Sequence, residues 1–311
     1  MNRRHTLYLK WFLTLAIYAV ILYFNIFHRL NFTVGTFFLV SGLLGMTIFL
    51  GLLFIIKYRI SDENRHCGNE MDVPVKKDII ISTVFKNEGD TVVDTAKHYL
   101  DFTTKPKIIF YDDGSDDGSF QSLKKIETEN ECVFKIIRLE KTDKILHPKG
   151  MGFEDLIKNY GCDYYLIIDA DTLIDEVSVE KALRIMQKKN ISVLHFTRRN
   201  DLSDEIANNI ADTEELFSSI NKLIGIFPWY FNGSGFIMKS EIARKMVYDD
   251  YSPSDDCQIG FFLRKNHIKV FDALTLFAHE KAPKSLSKLL KQHSAWTKGG
   301  IHHYMEKEKL E

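Results

Sequence analysis

The run Tyr164-Tyr165-Leu166-Ile167-Ile168-Asp169-Ala170-Asp171 limits what this chain can fold into more than any other stretch. It is apolar, aromatic and β-branched, too short for helical amphipathicity, and it stops in two carboxylates separated by one small residue. Such a run reads as a central strand buried on both faces. A strand of that kind holds no charge along its length. Asp169 and Asp171 are therefore expected at its carboxyl end, on the rim where open α/β sheets bind ligands. Two carboxylates placed there suit a hard divalent cation that keeps open positions for phosphate oxygens. The same residues also read as a strand end followed by an Asp-rich turn, and Asp-x-Asp alone does not separate the two readings.

The surrounding pattern supplies the context. Asp78 to Phe85 reads as a strand that stops at Lys86-Asn87-Glu88-Gly89-Asp90, and Thr91 to Leu100 as a helix. Lys107 to Tyr111 reads as a strand running into Asp112-Asp113-Gly114-Ser115-Asp116-Asp117-Gly118-Ser119, followed by a helix (Phe120 to Glu127) and a strand (Val133 to Leu139). Beyond Asp171 the expected elements are a helix (Ser178 to Lys188), a strand (Ser192 to Thr197) and a helix (Asp204 to Ile224, with Ser203 as N-cap). An aromatic, Gly-rich loop (Pro228 to Gly235) then leads to a strand that enters a short helix (Phe236 to Lys239). A helix (Asp255 to Arg264), a strand (His267 to Ala273) and an amphipathic helix (Ser285 to Trp296) follow. Strand, loop and helix alternate at the spacing of βαβ units, which predicts an α/β fold with a mainly parallel, Rossmann-like sheet.

Ahead of this region lie two charge-free runs, Trp11 to Phe27 and Phe32 to Ile56. The second, as a helix, is about 37 Å long, enough to cross a hydrocarbon core of about 30 Å. With the short polar connection His28-Arg29-Leu30-Asn31, the two predict a transmembrane helical hairpin at residues 1–60, with spans at about 7–28 and 32–56. Arg3, Arg4 and Lys10 precede the hairpin and Lys57, Arg59 and Arg65 follow it, while Arg29 sits alone in the connection. The positive-inside rule then puts both ends, and everything after Lys57, in the cytoplasm, with the lipid bilayer as a partner. Residues 61–76 read as a linker, 77–300 as the α/β domain and 301–311 as a polar tail. A net charge of −1 argues against nucleic acid as a partner. The four scattered cysteines (Cys67, Cys132, Cys162, Cys257) argue against a zinc site or a disulfide framework.

Several motifs, in order, resemble the family 2 glycosyltransferases. Lys86-Asn87-Glu88 follows the first strand, Asp112-Asp113-Gly114 the second, and Asp169-Ala170-Asp171 the central one. Asn232-Gly233-Ser234-Gly235 is similar to the family's glycine loop, and Ser254-Asp255-Asp256 sits where the family has Thr-Glu-Asp. Glu280-Lys281-Ala282-Pro283 and Gln292-His293-Ser294-Ala295-Trp296 resemble elements of the cellulose, chitin and hyaluronan synthase branch.

The resemblance implies a GT-A nucleotide-diphospho-sugar transferase fold. It implies a nucleotide-sugar donor, most simply a UDP-sugar, held by Asn87, Glu88, Asp113, Lys149 and Asp169. It implies a Mg²⁺ or Mn²⁺ ion ligated by Asp171, and Asp256 as the catalytic base of a single inverting displacement. Gly235, Gln292 and Trp296 would lie on the acceptor side. From the residues alone, Asp113 also reads as a turn builder, Asp255 as a helix cap, Trp296 as a core or membrane-interface anchor and His279 as a core histidine. Two departures stand out: Ala295 replaces the family's Arg, and Glu154 occupies a usual Asn position. Synthases of this branch continue into further membrane spans, whereas here the sequence stops soon after Trp296. The expectation is limited transfer onto a glycan or lipid-linked acceptor in cell-surface polysaccharide or glycolipid synthesis, with an oligomer or partner membrane subunit as the other route. The rivals are a polyprenyl-phosphate glycosyltransferase and a non-catalytic nucleotide-sugar-binding subunit.

Overall fold

A computed structural model of the chain describes residues 34–67, 78–140, 148–201, 233–247 and 255–281, with 287 and 294 as isolated helical residues. The chain divides into two compact units, residues 1–64 and 65–311. Helix α1 (Val34–Cys67) makes up the described part of the first unit and ends just beyond it. Its length and composition suffice to cross a membrane, and Leu43, Met46 and Phe54 stand more than half exposed on its surface. From Val34 onward the expected second span lies inside α1, but the helix does not stop where the span does. It continues from Lys57 through Cys67, across the start of the expected linker. Ser61, Asp62, Glu63 and Asn64 are polar but break no helix; the first glycine after them is Gly68. The expected first span lies outside the described residues, so the hairpin is represented by one helix alone.

The second unit is built on a seven-stranded sheet of order β3-β2-β1-β4-β6-β5-β7. In chain order its elements are β1 (Ile79–Phe85), α2 (Asp90–Leu100), β2 (Lys107–Asp112), α3 (Ser119–Glu129) and β3 (Phe134–Arg138). Then come α4 (Pro148–Asn159), β4 (Tyr164–Ile167), α5 (Glu176–Lys189) and β5 (Val193–Asp201). The chain resumes with β6 (Phe236–Lys239), α6 (Ser240–Ala243), α7 (Asp255–Lys265) and β7 (Val270–Lys281). Strands β3, β2, β1 and β4 pair in parallel, as do β5 and β7. The mainly parallel expectation needs one correction: β6 lies antiparallel between β4 and β5 and makes the sheet mixed.

Alternation along each strand divides the core. Ile79, Ile81, Ile108, Phe110 and Leu166 face one layer, with Val92, Tyr99, Leu123 and Val179 from α2, α3 and α5. Ile80, Ile109, Tyr111 and Tyr165 face the other, with Phe153, Ile242 and Ile259 from α4, α6 and α7. Burial of these two faces is what holds the sheet between its helices. At Gly152 a Cβ would meet Val84 Cγ2 at 2.6 Å and the Tyr111 ring at 3.2 Å, so only glycine lets α4 come this close.

Three further differences bear on the site. Strand β4 ends at Ile167, opposite Ser82, and the chain turns before Asp171. Strand β7 runs to Lys281, well past the expected end at Ala273, because a bulge resets its pairing with β5: Phe196 faces Ala273, and Thr197 faces Phe277. Helix α4 was not foreseen, although Pro148 at its first position and the spacing of Phe153, Leu156, Ile157 and Tyr160 are helical signals.

Candidate functional site

Strands β1, β2, β4, β5 and β7 all point their carboxyl ends to one rim, and antiparallel β6 begins there. The expected site residues that lie within the described chain are on loops and helix starts at this rim. Two loops close its outer part. Asn87 takes a left-handed conformation (φ 55°); its N–H donates to Ser115 Oγ (2.9 Å) and its side-chain oxygen accepts from the Asp116 N–H (2.9 Å). The Gly89 N–H donates to Asp117 (2.8 Å). The loops after β1 and β2 are thereby fastened to each other. Asp112 and Asp113, alike in sequence, have separate tasks. Asp112 is fully buried, accepts from Arg138 Nε (2.7 Å) and the Ser115 N–H (3.0 Å), and builds the turn. Asp113 stays partly open beside the Lys86 ammonium (3.2 Å), free to meet a ligand.

The loop after β4 carries Asp169 and Asp171 and is held on every side. The Asp169 N–H donates to Ser234 Oγ (3.0 Å) and, more weakly, to Thr172 Oγ1 (3.3 Å). Thr172 Oγ1 in turn meets Ser234 Oγ (2.8 Å) and Glu280 Oε1 (3.2 Å). Glu280, almost fully buried, is ion-paired with Arg198 Nε. Leu173 and His279 exchange backbone hydrogen bonds in an antiparallel bridge. The long β7 thus brings its end, through Glu280 and His279, against the loop.

The charges are crowded. Burial lifts the Asp171 carboxyl to about 7, and the carboxylates of Glu280 and Asp169 add to the lift. Glu88 is raised for the same reasons, by burial and then by Asp169 and Asp117. Glu280 is raised by burial against the pull of Arg198. Asp169 is the exception. Burial works against its charge, but the Lys149 ammonium at 2.6 Å outweighs burial and holds the carboxyl below its usual range.

Lys149 on α4 joins the two sides of the site. It bonds Asp169 and lies 3.6 Å from Asp255 at the start of α7. Burial opposes its charge; the carboxylates of Asp169, Asp255 and Asp256 overcome this and keep the ammonium well above its ordinary value. Asp255, read from sequence as a cap, is therefore also part of this charge cluster. Asp256 beside it is lifted to about 8, first by burial and then by Asp255. Its Oδ1 is buried without a hydrogen-bond partner among the described residues. Gly233 forms the wall next to it, where a Cβ would fall 1.6 Å from Oδ1. Gly235 (φ 66°) directly precedes β6, its N–H donating to the Ile167 carbonyl (3.0 Å), and a Cβ there would press on Ala278 at 2.9 Å. Beneath Lys149 and Asp255 lies a cleft enclosing about 350 Å³, part of it open to solvent, with Thr83, Phe153 and Phe236 in its walls.

Asn87, Glu88, Asp113, Lys149, Asp169, Asp171, Gly235 and Asp256 thus share one rim. Gln292 and Trp296 lie outside the described residues. Sequence reading passed over Thr95, Tyr99, Thr172 and Arg198, all of which support the Asp169–Asp171 loop or its neighbours. The one signal for Arg198 was a cation directly after the expected strand Ser192–Thr197. Among the described residues no group of three His, Cys, Asp or Glu side chains is arranged to hold a metal ion by itself.

Residues 164–309 match the model of glycosyl transferase family group 2. A poly-beta-1,6-N-acetyl-D-glucosamine synthase from Staphylococcus aureus is 23% identical over 231 residues, covering 69% of this chain and 52% of its own length. The version from another strain of that organism is 22% identical over the same length. The chain spans about half the length of these curated relatives. A mannosyltransferase from Pyrobaculum calidifontis, solved with GDP-mannose and Mn²⁺, shares the fold with a TM-score of 0.55 at 13% identity, over 83% of this chain and 71% of that one. By its family match and by these relatives, the chain is related to the family 2 glycosyltransferases, with polysaccharide synthases among its kin.

Proposed function

We propose that the protein is a membrane-anchored, inverting, metal-dependent glycosyltransferase that moves a sugar from a nucleotide-sugar donor to a glycan or lipid-linked acceptor. The observation that carries this reading is the Asp256 carboxyl: half-buried with Oδ1 enclosed, lifted to about 8, and set against the Lys149–Asp169 ion pair on the same rim. A base works best when its pKa lies near the working pH, and burial with Asp255 tunes an aspartate to that range. Asp256 takes the proton of the acceptor hydroxyl as that oxygen bonds the anomeric carbon. The bond from that carbon to the diphosphate oxygen breaks, and the nucleoside diphosphate leaves with the electron pair. One displacement inverts the centre, so an α-linked donor gives a β-linkage.

The donor's diphosphate falls to the side of Asp169, Lys149 and Asp171. Lys149 is shared among three carboxylates and is poised to exchange one of them for a phosphate oxygen. The residues fit a divalent cation. Asp171 is half-buried among other carboxylates, a position that one cation would relieve, and Mg²⁺ or Mn²⁺ needs only one or two protein oxygens when phosphates and water complete its shell. When bound, such an ion neutralises the charge that develops on the leaving diphosphate. Asn87, Glu88 and Asp113 lie where base and ribose would be read. Helix α1 is the membrane anchor, with the catalytic unit on the cytoplasmic side. The polymer made by the Staphylococcus aureus relatives, as their name gives it, makes UDP-N-acetylglucosamine the first donor to try.

The test is a panel of nucleotide sugars offered to detergent-solubilised protein with Mn²⁺, beside Asp256→Asn and Asp171→Ala. Nucleoside diphosphate release from one donor, reduced about 10²–10⁴-fold in Asp256→Asn, is the expected result. Metal-dependent UDP binding with no release from any donor, even with membrane lipids added, would instead make the chain a non-catalytic nucleotide-sugar-binding subunit.

A further inference from the structure

The geometry points to Thr95 and Tyr99 as positioning residues that fix Asp171 for its cation, an inference that rests on the metal-binding reading above. Both lie on α2, four residues apart and so on one face. Both are buried, with 1% and 0% of their surface exposed. Neither faces the open rim; both reach the backbone of the loop beneath it. Thr95 Oγ1 donates to the Ala170 carbonyl at 2.7 Å, in preference to the Thr91 carbonyl of its own helix at 3.0 Å. The Tyr99 hydroxyl donates to the Thr172 carbonyl at 3.0 Å and accepts from the Ile174 N–H at 3.1 Å.

The two carbonyls held in this way belong to the residues on either side of Asp171. Its Cα is pinned between two hydroxyls from one rigid helix, while Ser234 and Glu280 restrain the opposite side of the loop. Burial pushes the Tyr99 phenol far above its ordinary value, so it keeps its proton as a donor at any working pH. A cation that takes only one or two oxygens from the protein depends on how well those oxygens are placed. Loss of either hydroxyl leaves a buried carbonyl without its partner and lets the loop shift.

The experiment uses the full chain in detergent and reads the Mn²⁺ concentration that half-saturates UDP binding, together with the melting temperature of the metal-free protein. The variants are Thr95→Val, Thr95→Ser and Tyr99→Phe. Ile136→Val on β3 is a core trim of similar cost, remote from the loop. The half-saturating Mn²⁺ concentration should rise about tenfold in Thr95→Val and in Tyr99→Phe, the effect of one net hydrogen bond. Thr95→Ser, which keeps the hydroxyl, and Ile136→Val should match the unmutated protein. Unchanged values in Thr95→Val and Tyr99→Phe, or an equal rise in Ile136→Val, would overturn the inference while leaving the proposed function in place. If Thr95→Val does not fold, Tyr99→Phe decides alone. UDP binding by the unmutated protein that does not respond to Mn²⁺ would overturn both.

Discussion

The two halves of the sheet hold their rim loops by the same device and differ in everything around it. On the β1–β2–β3 side, each strand is parallel to the next in an even register, and Arg138 secures the buried Asp112. On the β6–β5–β7 side, one strand runs the wrong way, a bulge displaces the register, and Arg198 secures the buried Glu280. The regular half needs only the turn after each strand to offer side chains to a ligand. The irregular half has to deliver groups from distant segments to the back of one loop. It does so by the reversed β6, which brings Ser234 and Gly233 in at its start, and by the bulge, which sets Glu280 opposite Thr172. The positioning of the carboxylate loop is thus concentrated in the half that breaks the repeat.

This comparison can be broken first at its two arginines. Arg198→Met leaves the carboxylate of Glu280 buried without its cation and should cost about 3–5 kcal/mol in a denaturant titration, with turnover lost as the loop loosens. Arg138→Met should cost less, about 1–3 kcal/mol, because Arg138 is nearly half exposed and Asp112 keeps the Ser115 N–H; its effect on turnover should appear as weaker donor binding. Equal effects of the two on catalysis would end the distinction between the halves.

Two glycines sharpen it next. Gly233→Ala drives a methyl into Asp256, so turnover should fall about a hundredfold for about 1–3 kcal/mol of stability. Gly118→Ala meets open space and suffers only from its positive φ of 89°, so it should cost about 1–2 kcal/mol and leave turnover unaltered.

The helices and strands of the regular half were legible in the sequence because each obeys a local rule. Ile79–Phe85 and Lys107–Asp112 are apolar runs cut by Asp, Asn and Gly, and their ends fall within a residue or two of the expected ones. The residues expected at the site fall on those ends, at the rim, by the same local rule. What escaped was non-local. Nothing around Leu274, Thr275 and Leu276 announces a bulge, because the bulge is a relation to Phe196 and Thr197, far away in the chain. Thr95 and Tyr99 read as ordinary interior positions of an amphipathic helix; their importance lies in the backbone of Ala170 and Thr172. The resemblance singled out Asp113 for the donor, but the turn-building task of Asp112 became visible only through Arg138.

A smaller effect tests the charge assignment. Asp256 has to be ionised to act as a base, so turnover should rise about tenfold per pH unit on the acid side and level off above about 8. Stability should move the other way. Raised carboxyls favour the folded state when protonated, so their contribution is full below the ordinary aspartate range and is lost as pH climbs through about 7 for Asp171 and about 8 for Asp256. Metal-free protein should therefore unfold more readily at about pH 8 than at about pH 5, and Asp256→Asn should flatten that slope. The smallest effect belongs to Lys86→Ala. Its ion pair with Asp113 is exposed, and its removal should change stability by less than about 1 kcal/mol.

The bulge on β7 also bears on the order in which the molecule assembles. The contacts that close the regular rim join residues 28 apart, such as Asn87 and Ser115, whereas those behind the carboxylate loop join Arg198 to Glu280 over 82 residues and Thr172 to Glu280 over 108. Long closures form late in folding and are the first to open in the native state. The irregular half should therefore exchange its amide hydrogens sooner than β1 and β2, and a bound nucleotide should slow that exchange most at Thr172 and Leu173. The loop proposed to hold the cation is, on this account, also the last part of the protein to become native.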